Sequence, residues 1–121
     1  MWCISWNVRG LGSAVKIRKI FGLVRSYNLE ILLLQETMKT AWSEEEVRKL
    51  WSDDEFEFEW VEADGKSGGL LTVWDSNCFV KTTVFKKKIF LSITGIWKAK
   101  DVRINLVNMY CPCKSEDQNV V

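Results

Sequence analysis

The chain has 121 residues, 47% of them hydrophobic and 27% charged, with a single proline, a globular composition with room for one small domain. No apolar run approaches the roughly 18 residues needed to cross a bilayer, and the start Met1–Asn7 is short, uncharged and soon polar, unlike a signal peptide. A soluble intracellular protein, nuclear or cytoplasmic and without a membrane partner, is expected. Histidine is absent, which removes the commonest general base, every triad built on it and every imidazole metal site. Chemistry must come from carboxylates, amides, phenols or a bound ion.

In chain order, Trp2–Val8 alternates Trp2, Ile4, Trp6 and Val8 against Cys3, Ser5 and Asn7, the pattern of a strand with one apolar face. A loop over residues 9–13 follows, and Ser13 is placed to cap a helix over Ala14–Tyr27, where Ile17, Ile20, Phe21 and Val24 form one face. The continuous apolar run Ile31–Leu34 reads as a strand buried on both sides. Strand, helix and strand make a βαβ unit with parallel strands, so Asn7 and Glu36 end at the same sheet edge, where ligands of open α/β sheets bind. Ser43 and Glu46 form a capping box for a short helix carrying Val47, Leu50 and Trp51. Phe56, Phe58 and Trp60 alternate with Glu55, Glu57 and Glu59, as in a half-exposed strand. After a turn at Asp64–Gly69 come four β-type runs: Leu70–Trp74, Phe79–Phe85, Ile89–Trp97 and Val102–Tyr110.

The net charge of +1 hides three blocks: residues 1–42 and 65–103 are basic, and residues 43–64 carry ten acidic side chains against two basic ones. Ordinary solvated faces explain the acidic block; the basic stretch, Lys86, Lys87 and Lys88 above all, and Arg9 in the first loop, are candidates to face a phosphate backbone. The cysteines Cys3, Cys78, Cys111 and Cys113 lack zinc-site spacing and read as reduced thiols. The seven tryptophans read as core more than as base-stacking platforms.

Four segments carry a family resemblance. Ile4-Ser5-Trp6-Asn7-Val8-Arg9-Gly10-Leu11-Gly12 resembles the opening strand and loop of the endonucleases of plant LINE-type retrotransposons. Leu33-Leu34-Gln35-Glu36-Thr37 resembles that family's second motif, and Ser67-Gly68-Gly69-Leu70 with Val73-Trp74-Asp75 its central hairpin. Asn108-Met109-Tyr110-Cys111-Pro112 resembles the strand that ends in a tyrosine before a proline turn. The ordered set covers nearly the whole chain and implies the endonuclease/exonuclease/phosphatase superfamily. The fold so implied is α/β: the N-terminal half of a four-layer, deoxyribonuclease I-like sandwich, a βαβ start followed by mostly antiparallel strands. Residues 1–121 would then form one truncated domain, with residues 114–121 a disordered tail.

The resemblance also implies a reaction, Mg²⁺- or Mn²⁺-dependent hydrolysis of DNA phosphodiester bonds, and assigns residues to it. Glu36 matches the metal-binding glutamate, Asn7 the asparagine beside metal and phosphate, and Tyr110 the active-site tyrosine. On local grounds alone Glu36 reads as a solvated strand end, Asn7 as a turn former and Tyr110 as an edge aromatic. The family's Asp-x-Asn motif and its aspartate–histidine pair are missing, so the chain alone is expected to be an inactive remnant of the nuclease. A non-catalytic nucleic-acid- or protein-binding module and a phosphatase acting on a small substrate are the alternatives. Half of a two-sheet sandwich is also expected to expose the apolar inner face of one sheet, around Ile89, Leu91, Ile104 and Leu106, and so to invite self-association.

Overall fold

The computed structural model describes residues 1–65 and 67–110, in which the elements run β1 Cys3–Asn7, α1 Ala14–Tyr27, β2 Ile31–Gln35, α2 Glu44–Arg48, β3 Phe56–Val61, β4 Leu70–Asp75, β5 Phe79–Lys87, β6 Phe90–Trp97 and β7 Val102–Met109. Cys111, Pro112, Cys113 and the tail expected over residues 114–121 lie outside the described residues.

The local signals act as the sequence suggests. The Ser13 side chain accepts a hydrogen bond from the Val15 amide at 3.2 Å and starts α1, and Asn28 ends it in a left-handed conformation (φ 51°) while its amide donates to the carbonyls of Val24 and Arg25. Asparagine tolerates that conformation better than most residues. Ser43 and Glu46 form the full reciprocal capping box of α2. As the crossover, α1 leaves β1 and β2 parallel, with Asn7 opposite Gln35. β2 and β4 pair antiparallel, as do β4 and β3, giving a first sheet of order β1-β2-β4-β3. A tight turn after β4 leads into the antiparallel meander β5-β6-β7, the second sheet.

Three layers result. α1 and α2 cover one face of the first sheet, where Ile20, Val24, Val47, Leu50 and Trp51 pack on Leu32, Leu34, Leu71 and Val73. The other face of that sheet, Ile31, Leu70 and Trp74, packs on Phe79, Leu91 and Ile93 of the second sheet. The expectation of an open inner face is therefore corrected. Both sheets form before residue 111, so Leu91 is fully buried, Ile104 and Leu106 pack against the inter-sheet core, and only Ile89, in the hairpin turn, stays exposed. The exposed apolar side chains of the second sheet lie instead on its outer side and rims, Phe85, Val107 and Met109 among them.

The acidic alternation in β3 has a different meaning from the one its pattern suggests. Phe58 and Trp60 pack toward the helices, and Glu59 points toward the second sheet. There it meets Lys81 at 2.6 Å and Lys86 at 3.0 Å, with 15% of its side chain exposed. A bulge in β5 between Lys81 and Thr83 adjusts that strand locally.

Candidate active site at one edge of the sandwich

Parallel pairing brings the C-terminal ends of β1 and β2 to one edge, and the loops that leave them are tied together. The Val8 amide donates to the Gln35 carbonyl at 3.0 Å, and the Gly10 amide to the Glu36 carbonyl at 2.7 Å. The Thr37 and Met38 amides donate to the carbonyls of Gly69 and Gly68, so the glycine pair leading into β4 holds the glutamate loop from the other side. Arg9 (φ 52°), Glu36 (φ 55°) and Met38 (φ 58°) are all left-handed although none is a glycine. Each such residue costs on the order of 1–2 kcal/mol, strain that persists only where surrounding structure enforces it. Lys16 supplies part of that enforcement. Its ammonium, on the first turn of α1, donates to the carbonyls of Val8, Arg9 and Gly10 at 2.8, 3.3 and 3.2 Å.

Gly69 is the tightest point of this edge. It has φ +94°, and a Cβ there would overlap the Thr37 hydroxyl and sit 3.2 Å from the Met38 amide nitrogen. Gly69 is thus a steric requirement of the glutamate loop, whereas Gly68 (φ +78°), with open space where a Cβ would stand, is favoured by its backbone conformation alone.

Asn7 is exposed and its side-chain oxygen accepts a hydrogen bond from the Arg9 amide at 3.2 Å. It therefore forms the turn that its residue type suggests, while its position opposite Gln35 places it beside Glu36. Tyr110, half-buried, follows β7; its amide donates to the Ile89 carbonyl, and it lines a small pocket with Asp64, Ser67, Gly68, Gly69 and Lys88. Since Gly68 and Gly69 also hold Thr37 and Met38, the tyrosine and the glutamate loop share one support. Asn7, Glu36 and Tyr110 all come to this edge.

One group at this edge carried no role in the sequence reading. Asn108, 1% exposed, donates from its side-chain nitrogen toward the carbonyls of Leu34 (3.1 Å) and Leu71 (3.0 Å) and the Thr72 hydroxyl (3.2 Å). Its side-chain oxygen accepts from Gln35 Nε2 at 2.8 Å, and the same nitrogen lies 3.0 Å from the Ser5 hydroxyl. β7 is thereby joined to β1, β2 and β4. No sequence pattern marks this, because the partners lie more than 30 positions away.

The donor chemistry fits a hard divalent cation. Glu36 is half-buried, and among the described residues its carboxylate has no hydrogen-bond or ion-pair partner. Among those residues no three His, Cys, Asp or Glu side chains cluster as a closed metal site. One carboxylate with a neighbouring amide suits an ion such as Mg²⁺, which keeps much of its water and takes substrate phosphate as a further ligand.

The basic candidates are engaged to different degrees. Lys86 bridges to Glu59 and lies 5.1 Å from the Trp60 ring, Lys88 pairs with Asp64 at 2.5 Å, and Lys87 lies 5.5 Å from the Phe85 ring. The Lys88–Asp64 hydrogen bond holds the aspartate below its ordinary pKa and the lysine above its own. Cys3 and Cys78 are free thiols, and burial, aided by Asp75 and Glu30, pushes Cys78 up to about 11, unsuited to thiolate chemistry. Among the described residues no helix is long and apolar enough to cross a membrane.

The structure resembles the AP endonuclease LMAP from Leishmania major with a TM-score of 0.68 and 20% identity, covering 91% of this chain and 40% of that one. It resembles the APE2 catalytic domain from Xenopus laevis with a TM-score of 0.64 and 15% identity (98% and 47% covered), and a humanized D. rerio TDP2 with a TM-score of 0.64 and 17% identity (94% and 48% covered). No family model and no curated protein matches the sequence. The fold is the deoxyribonuclease I-like α/β fold that these structures share. The chain spans less than half the length of these three structures.

Proposed function

We propose that this chain carries the N-terminal half of a divalent-metal-dependent phosphodiesterase site acting on DNA, of the kind found in LINE-type retrotransposon endonucleases. The observation that supports it most is the convergence of the strained loops at one edge. Arg9, Glu36 and Met38 are all left-handed there, and among the described residues the Glu36 carboxylate has no hydrogen-bond or ion-pair partner. The shared fold with an AP endonuclease favours a nuclease, and the motif order favours the retrotransposon branch.

In this reading Glu36 holds Mg²⁺ or Mn²⁺, with Asn7 nearby. When bound, the ion supplies charge to polarise a phosphoryl oxygen and to stabilise the leaving oxygen. Asn7 is neutral; its amide nitrogen can donate to a phosphate oxygen while its own oxygen is held by the Arg9 amide. Tyr110 donates its phenolic hydrogen to a second phosphate oxygen, and Arg9 and Lys87 contact the backbone of the substrate. With histidine absent from the sequence, the proton of the attacking water has no imidazole to receive it. Without an imidazole to receive that proton, the chain binds metal and substrate without turnover.

The test is nicking of supercoiled plasmid by the folded chain in Mg²⁺ and in EDTA, beside Glu36→Ala. The proposal expects plasmid to stay supercoiled in every arm. Cleavage that requires Mg²⁺ and disappears in Glu36→Ala would overturn the inactivity of the chain while keeping the role of Glu36. Mg²⁺-dependent cleavage that survives Glu36→Ala would overturn the site itself.

A further inference from the structure

We propose that Asn108 and Gln35 form a cross-sheet amide clamp that sets the separation between Glu36 and Tyr110, which makes both of them positioning residues. The inference rests on the reading of those two residues as the metal-holding and phosphate-holding sides of one site.

The inter-sheet core around the clamp is apolar, built from Ile31, Leu70, Trp74, Phe79, Leu91 and Ile93. A leucine at position 108 would fill such a space without any polar group to desolvate. A buried amide there is tolerated only because its hydrogen-bonding capacity is met. Asn108 meets it fully. Its oxygen takes Gln35 Nε2, and its two amide hydrogens serve three acceptors on β2 and β4. Apolar sheet packing alone is non-directional and lets one sheet slide over the other by small amounts. Hydrogen bonds of defined direction fix one register.

What this fixes is decided by position in the chain. Gln35 directly precedes Glu36, and Asn108 stands two residues before Tyr110, on the same face of the chain as the tyrosine. The bond between the two amides, 2.8 Å long, is therefore a short strut between the loop that presents the carboxylate and the strand end that presents the phenol. Gln35 also reaches the Ser5 hydroxyl, two residues before Asn7, so the same strut ties in β1. All three candidate residues are attached, through one or two residues of backbone, to one network of side-chain hydrogen bonds.

The test reads each variant on the opposite sheet, where a local packing role has no effect. The chain has two tyrosines, so 3-fluorotyrosine labelling gives two fluorine NMR lines, one from Tyr110 and an internal control from Tyr27 at the far end of α1. Gln35→Leu lies on the first sheet and is only half-buried, so the fold survives it. The proposal expects this variant to displace or broaden the Tyr110 line and leave the Tyr27 line in place. Asn108→Leu, on the second sheet, is expected to shift the backbone amides of Glu36 and of Gly10, which is bonded to the Glu36 carbonyl. An unmoved Tyr110 line in folded Gln35→Leu overturns the clamp, whatever Asn108→Leu does.

Added Mn²⁺ separates this result from the functional reading. Selective broadening of the Tyr110 line over the Tyr27 line, lost in Glu36→Gln, supports metal at Glu36. Displacement of the Tyr110 line in Gln35→Leu without any Mn²⁺ broadening in the native chain would keep the clamp as a structural strut and remove its role in a metal site.

Discussion

Substituting Gly69 by alanine tests the support of the glutamate loop quantitatively. At φ +94° an L-residue pays a conformational cost of about 1–2 kcal/mol. The added methyl also overlaps the hydroxyl of buried Thr37 and presses on the Met38 nitrogen and the Ala63 methyl, at 3.2 and 3.3 Å. Overpacking of this kind costs about 1–3 kcal/mol, so the expected loss is about 2–5 kcal/mol, large beside a total stability of about 5–15 kcal/mol. Gly22→Ala is the control: it lies within α1 with nothing within 4 Å of a new Cβ, and it should stabilise by about 0.5–1 kcal/mol. Urea denaturation followed by tryptophan fluorescence measures both. In a Thr37→Ala background the cost of Gly69→Ala should shrink, since the main steric partner is gone while the backbone cost remains. Equal urea midpoints for Gly69→Ala and Gly22→Ala would refute the proposed fit between the glycine pair and the glutamate loop.

Three further outcomes follow from the same structure. Burial works to raise the Glu59 carboxyl, but hydrogen bonds and charge from Lys81 and Lys86 outweigh it and leave the pKa below its ordinary value. A depressed folded value means that the stabilisation is present above the unfolded value of about 4.3 and is lost as pH falls through the folded one. The stability gap between the native chain and Glu59→Gln should therefore be open at pH 7 and close in acid; a gap independent of pH would contradict the pairing. Ser43→Ala removes one half of the α2 capping box and should cost about 1 kcal/mol in a urea titration, with no loss meaning that α2 is held by its packing alone. Lys16→Met removes the ammonium that three loop carbonyls share and should raise amide hydrogen exchange at Arg9 and Gly10 while the centre of α1 stays protected; uniform exchange across both would show that the lysine has no specific hold on the loop.

Much of the edge was legible because its determinants are local or follow from chain order. The parallel βαβ unit places Asn7 and Glu36 together whatever the rest of the chain does, and the caps at Ser13 and Ser43 need only neighbouring residues. The role of Glu59 was not legible, since a strand pattern shows which side chains share a face and not what covers that face. The same limit applies to the inter-sheet core: which sheet a strand joins depends on long-range pairing, so the packing of Leu91 and Ile93 against Trp74 could not be read from alternation. Asn108 was visible only as part of a motif. Its function in the fold arises from carbonyls on β2 and β4 that carry no side-chain signature at all.

The central claim is that Glu36 holds a divalent metal ion at this edge, and Mn²⁺ binding tests it most directly. Titration of the folded chain with Mn²⁺, with free ion followed by electron paramagnetic resonance, should show one site that disappears in Glu36→Gln and persists in Glu45→Gln, an exposed carboxylate on α2. Binding that is unchanged by Glu36→Gln, or no binding by the native chain at millimolar Mn²⁺, would contradict the account.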